Sequence, residues 1–201
     1  MSEKLFIGLT GPSGSGKSTV AALMRTWGGV EVLDCDAIAH RVMESDPACL
    51  AALTEAFSPA ILHEDGSLDR TVLGGIVFHN TQKLRQLGEI SYPYIIAECE
   101  RLAVEAMGTG ARACVLDAPT LFESGADALC HTVISVITPW EQRLRRILLR
   151  DGITREMAEA RMQNQFEDEY YAARSDFVIR NTADLSHLMA ETERCRIFLK
   201  L

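Results

Sequence analysis

Leu5-Phe6-Ile7-Gly8-Leu9-Thr10 runs directly into Gly11-Pro12-Ser13-Gly14-Ser15-Gly16-Lys17-Ser18, and from there into Thr19-Val20-Ala21-Ala22-Leu23-Met24-Arg25-Thr26-Trp27. The opening run is continuously apolar, as strands buried on both faces are. The closing run carries apolar residues at three- and four-residue spacing, the period of a helix with one buried side. Between them stands the pattern G-x-x-x-x-G-K-[ST]. Small residues let successive backbone N–H groups curl around phosphate oxygens, and the helix on the far side of the loop offers its positive end. Gly11, Pro12, Ser13, Gly14, Ser15, Gly16, Lys17, Ser18 and Thr19 are therefore read as a cradle for the phosphates of a nucleotide cofactor. Lys17 reaches the β- and γ-phosphates, and the Ser18 hydroxyl ligates Mg²⁺. Pro12 has no N–H to give, but it sits early in the loop. Gly28-Gly29 is read as the end of the helix.

Further short apolar runs occur at Val30 to Leu33, Ala113 to Leu116, Thr132 to Ile137 and, more weakly, Phe177 to Ile179. Helical patterns lie between them. The natural assembly is α/β, a parallel sheet of the P-loop NTPase type flanked by helices. The sheet core is expected in about 1–36, 113–140 and 171–201 of a single domain. The stretch of about 37–112 is too long for one crossover helix and is mostly helical in pattern, with a polar turn at His63-Glu64-Asp65-Gly66-Ser67. It is read as a helical insertion that carries a substrate, and about 141–170, where charge is dense, as a small lid.

Composition narrows the partners. The chain has 201 residues, 47% hydrophobic and 24% charged, with a formal net charge of -8. That balance argues against a broad surface for the nucleic-acid backbone or for anionic membranes. Only four of the 20 cationic residues are lysines (Lys4, Lys17, Lys83, Lys200), and one of them falls in the loop. A local reversal occurs where Arg143, Arg145, Arg146, Arg150, Arg155 and Arg161 face Glu141, Asp151, Glu156 and Glu159. The six cysteines show no C-x-x-C spacing and read as reduced, mostly buried residues. No stretch approaches the ~20 apolar residues of a membrane span, so a soluble cytoplasmic protein is expected. His40, His63, His79, His131 and His187 show no ligand spacing and are taken as structural.

Taken together with the later segments of the chain, the loop resembles that of the dephospho-CoA kinases, and the resemblance covers nearly the whole length. IGLTGPSGSGKSTVA (7–21) is similar to the family's first strand, loop and helix. VLDCDAIAHRV (32–42) is similar to its second-strand segment, with two aspartates two residues apart. EDGSLDRTVLGGIVF (64–78), ISYPYI (90–95), DAPTLFESG (117–125), LRRILLRDGITREMAEARMQNQ (144–165) and SDFVIRN (175–181) continue the series in order. Tyr92 stands where the family usually has His, Thr120 replaces a Leu, and Pro12-Ser13 replaces a Gly-Ile pair.

The resemblance implies a catalytic carboxylate at Asp36, with Asp34 the second choice. A strand-end carboxylate beside the loop is where ligands meet such sheets. The competing reading makes Asp36 only the N-cap of a helix beginning at Ala37. Asp117 closes an A-C-V-L-D run, either as a metal-holding strand-end carboxylate or as an ordinary turn residue. Arg143, Arg146 and Arg150 share one helical face, which suits phosphates, although a solvated face paired with Glu141 and Asp151 has the same pattern. The family's R-D-G step favours catalytic roles for Arg146 and Arg150 beside Lys17. Thr10, Asp36, Arg70, Phe78 and Pro93 are assigned to the acceptor, and Ser18 and Asp117 to the metal.

The implied activity is ATP- and Mg²⁺-dependent phosphorylation of the ribose 3′-hydroxyl of dephospho-CoA. The implied partners are these small molecules alone, with neither nucleic acid nor membrane, in a monomer or small homo-oligomer. Rival readings are a nucleoside or nucleoside-monophosphate kinase, which would lack the later motifs, and a nucleotide-dependent switch, which has no need of the acceptor-side carboxylate.

Overall fold

The computed structural model describes residues 5–78 and 80–201, so Lys4 and His79 lie outside the described residues. Five strands, β1 (Leu5–Thr10), β2 (Val30–Asp34), β3 (Ala113–Asp117), β4 (Thr132–Ile137) and β5 (Phe177–Arg180), form one parallel sheet in the order β2-β3-β1-β4-β5. The helices are α1 (Lys17–Met24), α2 (Cys35–Ser45), α3 (Pro47–Phe57), α4 (Arg70–Val77), α5 (Thr81–Gly108), α6 (Leu121–Ser124), α7 (Trp140–Asp151), α8 (Arg155–Gln163), α9 (Asp168–Ala173) and α10 (Leu185–Leu199).

β1 is the central strand: Ile7 lies opposite Val115 of β3 on one side and Thr132 of β4 on the other. This is why its apolar run does not alternate, since both faces of a central parallel strand are covered. On one face Val20, Ala21 and Met24 of α1 join Leu188, Cys195 and Leu199 of α10 in a core with Ile7, Leu9, Val115, Ile134, Val136 and Ile179. Ile134 has no exposed surface. Its replacement by Ala removes buried methyl groups and leaves a void, so thermal or denaturant unfolding should show a loss of about 2–5 kcal/mol.

The chain leaves β1 for β2 on one side, yet leaves β3 for β4 on the other. The carboxyl end of β1 is thus a topological switch point, where ligands of open parallel sheets bind, and residues 11–16 occupy it. α1 is shorter than its pattern suggests. It ends at Met24, and the chain tightens through Thr26 N–H to Leu23 O and Trp27 N–H to Met24 O, both 3.0 Å, before Gly28. The tighter i→i+3 bonds satisfy the last carbonyls of the helix.

By its internal contacts the chain divides into two compact units, one holding residues up to Leu33 and from Glu105 onward, the other Asp34–Val104. The second contains α2, α3, α4 and most of α5. Aspartates start three of its helices: Asp34 accepts from Ala37 N–H, Asp46 from Ala48 and Cys49, and Asp69 from Thr71 and Val72. Each satisfies donors that a helix leaves orphaned in its first turn. The polar turn forms at the expected place, with His63 N–H donating to Ser67 O at 2.8 Å. Among the described residues no helix is long and apolar enough to cross a membrane.

Candidate active site

The loop is built by glycines where no other residue fits. Gly11 (φ 147°) and Gly16 (φ 96°) occupy the left-handed side of backbone space, and a Cβ on either would collide, at Gly11 with the Val136 carbonyl and at Gly16 with the Asn181 amide. Side chains from three distant segments hold the loop carbonyls. Arg143 Nε donates to Ser13 O (3.0 Å), and Arg146 Nη1 to Gly14 O (3.2 Å) and Ser15 O (3.3 Å). Thr138 Oγ1 and Asn181 Nδ2 each donate to Ser15 O at 2.8 Å. Because C=O and N–H lie on opposite sides of a planar trans peptide, each captured carbonyl turns the next N–H the other way. Gly14 and Gly16 carry such N–H groups, and with those of Lys17 and Ser18 they have no protein acceptor among the described residues. A row of such donors at a helix N-terminus is an anion site.

Lys17 Nζ is ion-paired with the Asp117 carboxylate, joining the start of α1 to the end of β3. Their side chains are 13% and 10% exposed. Ser18 and Thr19 lie on the first turn of α1, both exposed, next to the buried Val20. Thr10, at the end of β1, is buried and donates to Pro119 O at 3.3 Å. The oxygens available for a divalent cation here are the Ser18 hydroxyl and the Asp117 carboxylate. Both are hard donors, and one or two protein oxygens completed by phosphates and water are what Mg²⁺ takes, so the residues fit that ion.

The arginine stripe of α7 divides into three different arrangements. Arg143 is buried beneath the loop, 3% exposed. Arg146 bonds two loop carbonyls and reaches Asn181 Oδ1 at 3.4 Å. Arg150 is exposed and forks onto Asp151 at 2.6 and 2.9 Å, and Arg161 joins the same carboxylate at 2.6 Å. Arg150, more than Arg161, holds the Asp151 carboxyl down at about 2. Gly152 ends α7 at φ 63°. Besides Arg143, three residues outside the assigned site shape it: Thr138, Gln165, whose Oε1 accepts from Ser13 N–H at 3.0 Å, and Asn181. Gln165 and Asn181 close two of the family-like segments, 144–165 and 175–181, and that was the only sequence signal they carried.

In the other unit, the aspartate pair takes two distinct positions. α2 begins at Cys35, two residues before the expected start, and its N-cap is Asp34, whose carboxylate accepts from Ala37 N–H at 2.9 Å. The capping duty is thus Asp34's, and Asp36 is an exposed carboxylate in the first turn. Arg70 Nε pairs with Glu44 at 2.7 Å and Nη2 donates to His40 O at 2.5 Å. Phe78 is 74% exposed at the end of α4, and Pro93 lies inside α5. His131 is structural in the sheet unit, accepting from Phe6 N–H at 3.0 Å.

Comparison with known proteins decides the family. The family model described as dephospho-CoA kinase matches residues 5–187. The chain belongs to the dephospho-CoA kinase family. Among curated members, the dephospho-CoA kinase of Corynebacterium efficiens is 36% identical over 190 residues, 94% of each chain, and that of Bacillus cereus is 39% identical over 175 residues, 87% of each. A solved dephospho-CoA kinase from Campylobacter jejuni superposes with a TM-score of 0.71 at 29% identity, covering 98% of both chains. Shikimate kinase from Acinetobacter baumannii shares the fold alone, with a TM-score of 0.54 at 17% identity over 99% of this chain and 95% of its own.

Proposed function

We propose that this dephospho-CoA kinase family member transfers the γ-phosphoryl group of ATP to the ribose 3′-hydroxyl of dephospho-CoA, giving coenzyme A and ADP. The observation that supports this reading is the loop of residues 11–19, in which the carbonyls of Ser13, Gly14 and Ser15 are held by distant side chains, in a chain of this family.

Phosphoryl transfer needs positioning and charge neutralisation more than covalent participation by the protein. The amides of Gly14, Gly16, Lys17 and Ser18 hold the phosphates, and Lys17 adds its charge. Lys17 and Asp117 neutralise one another in the protein alone. With ATP present both have other partners, Lys17 the phosphate oxygens and Asp117, with Ser18, a Mg²⁺ ion. The ion supplies further neutralisation of phosphate charge. Asp36 accepts the proton of the acceptor hydroxyl, while Asp34 caps α2. Arg146 and Arg150 contribute positive charge at the transferring group, Arg150 by exchanging Asp151 for phosphate. Thr10, Arg70, Phe78 and Pro93 are the proposed acceptor contacts.

The test is a coupled ADP-release assay with Mg²⁺-ATP and dephospho-CoA, run beside a nucleoside monophosphate, cytidine and shikimate. Turnover with dephospho-CoA alone, and a product phosphorylated on the 3′-oxygen by mass spectrometry and NMR, is the expected result. Background rates with dephospho-CoA would overturn the reading.

A further inference from the structure

Ser13 is held at both of its peptide groups. Its N–H donates to Gln165 Oε1 at 3.0 Å and its carbonyl accepts from Arg143 Nε at 3.0 Å, while Arg143 Nη2 donates to the same Gln165 oxygen at 3.2 Å. One guanidinium and one amide thus form a closed clamp on one loop residue. The clamp comes from α7 and from the segment after α8, 130 and 152 residues further along the chain. The rest of the guanidinium is enclosed as well: Nη1 lies 3.5 Å from Asp168 Oδ1, and the Trp140 ring is 5.9 Å away. Burial pushes the Arg143 pKa down and Asp168 opposes that, and the guanidinium stays charged.

An ion pair with Asp168 would by itself give a buried arginine its counter-charge. The bonds to Ser13 and Gln165 do something else. The Ser13–Gly14 peptide precedes a glycine at φ 78°, a residue with no Cβ to restrict its backbone. Left alone, that peptide plane rotates, and the Gly14 N–H loses its aim. Fixing the Ser13 carbonyl fixes the Gly14 N–H on the opposite side. The ordering is then complete before a phosphate arrives, rather than charged against its binding.

We propose that Arg143 is a positioning residue for the ATP phosphates, acting through Ser13 and Gln165 and touching no substrate atom. This deepens the reading of residues 11–19 as the ATP site and rests on it. Arg146 holds neighbouring carbonyls and also serves the transferring phosphoryl group, so Arg143 is the cleaner probe of preorganisation.

The experiment is steady-state kinetics with ATP and dephospho-CoA varied separately, and thermal unfolding in parallel, on Arg143→Met, Arg143→Lys, Asp168→Asn, Arg143→Met/Asp168→Asn and Gln165→Leu. Loss of preorganisation weakens ground and transition states alike, so the KM for ATP should rise about tenfold in both Arg143→Met variants, with kcat and the acceptor KM within about threefold. Lysine restores one donor without the fork and should recover part of the loss. Asp168→Asn should lower Tm while leaving the ATP KM within about twofold. A folded double variant with wild-type ATP KM, an equal rise in both KM values, or an Asp168→Asn variant with the same ATP defect would each overturn the proposal. If the Arg143 variants fail to fold, Gln165→Leu decides: an ATP KM raised about fivefold supports the clamp, and an unchanged one overturns it. A wild-type protein without transfer activity would instead overturn the ATP-site reading.

Discussion

Lys17→Met should lower kcat/KM for phosphoryl transfer by roughly 10³-fold or more, the scale on which a preorganised charge at developing phosphoryl charge is worth several kcal/mol. The substitution keeps the length of the side chain along α1 and removes only the ammonium group. It also leaves Asp117 without its ion-pair partner at the end of β3, and both side chains are largely shielded from water. Breaking a shielded pair by removing one member destabilises, so Tm should fall as well. The two effects separate by measurement. Activity is read at a temperature where circular dichroism shows the variant folded, and direct titration with ATP reports the loss of affinity. A folded Lys17→Met variant within tenfold of the wild type would refute the role given to Lys17.

Asp36→Asn carries the second large expectation. An amide cannot take the hydroxyl proton, so kcat should fall by about 10²–10⁴-fold, the range that a positioned general base supplies. The KM for ATP should stay near its original value, because the loop and Lys17 are untouched. Asp34→Ala is the matched control: it removes the bond from Ala37 N–H at 2.9 Å. It should cost about 1 kcal/mol of stability through the lost cap, with kcat within a few-fold. If Asp34→Ala abolished turnover and Asp36→Asn did not, the two roles would have to be exchanged. A large fall in kcat in a variant that circular dichroism shows folded at the assay temperature is the diagnostic combination.

Much of this protein was legible from local pattern. The run from Leu5 to Trp27 reads as strand, loop and helix because burial on both faces, glycine at forbidden φ and a helical period are all properties of neighbours in the chain. The strands were found for the same reason: most are short, largely apolar stretches, as at Ala113 to Leu116 and Thr132 to Ile137. The end of α1 was less legible. Gly28-Gly29 marks a stop, but nothing in the residue types Arg25, Thr26 and Trp27 says that the helix ends at Met24 and the chain tightens into i→i+3 bonds. The start of α2 was misplaced by two residues for a comparable reason. Asp34 and Asp36 are both good capping types, and only the backbone geometry, extended at Asp34, selects the first.

The sequence by itself determined the phosphate-cradling loop, the α/β sheet that presents it, and the aspartates and arginines from which the site is made, because each rests on residue types within a few positions of one another. Only the tertiary structure decided what those residues do for one another. Arg143, Arg146 and Arg150 look equivalent on a helical face, yet one is buried under Ser13, one grips Gly14 and Ser15, and one is paired with Asp151. Thr138, Gln165 and Asn181 entered the site unannounced, for the bonds they make to Ser13 and Ser15 span 123 to 166 residues. A hydrogen bond over that separation depends on which strands are neighbours and where their carboxyl ends meet, and it leaves no period or spacing in the chain.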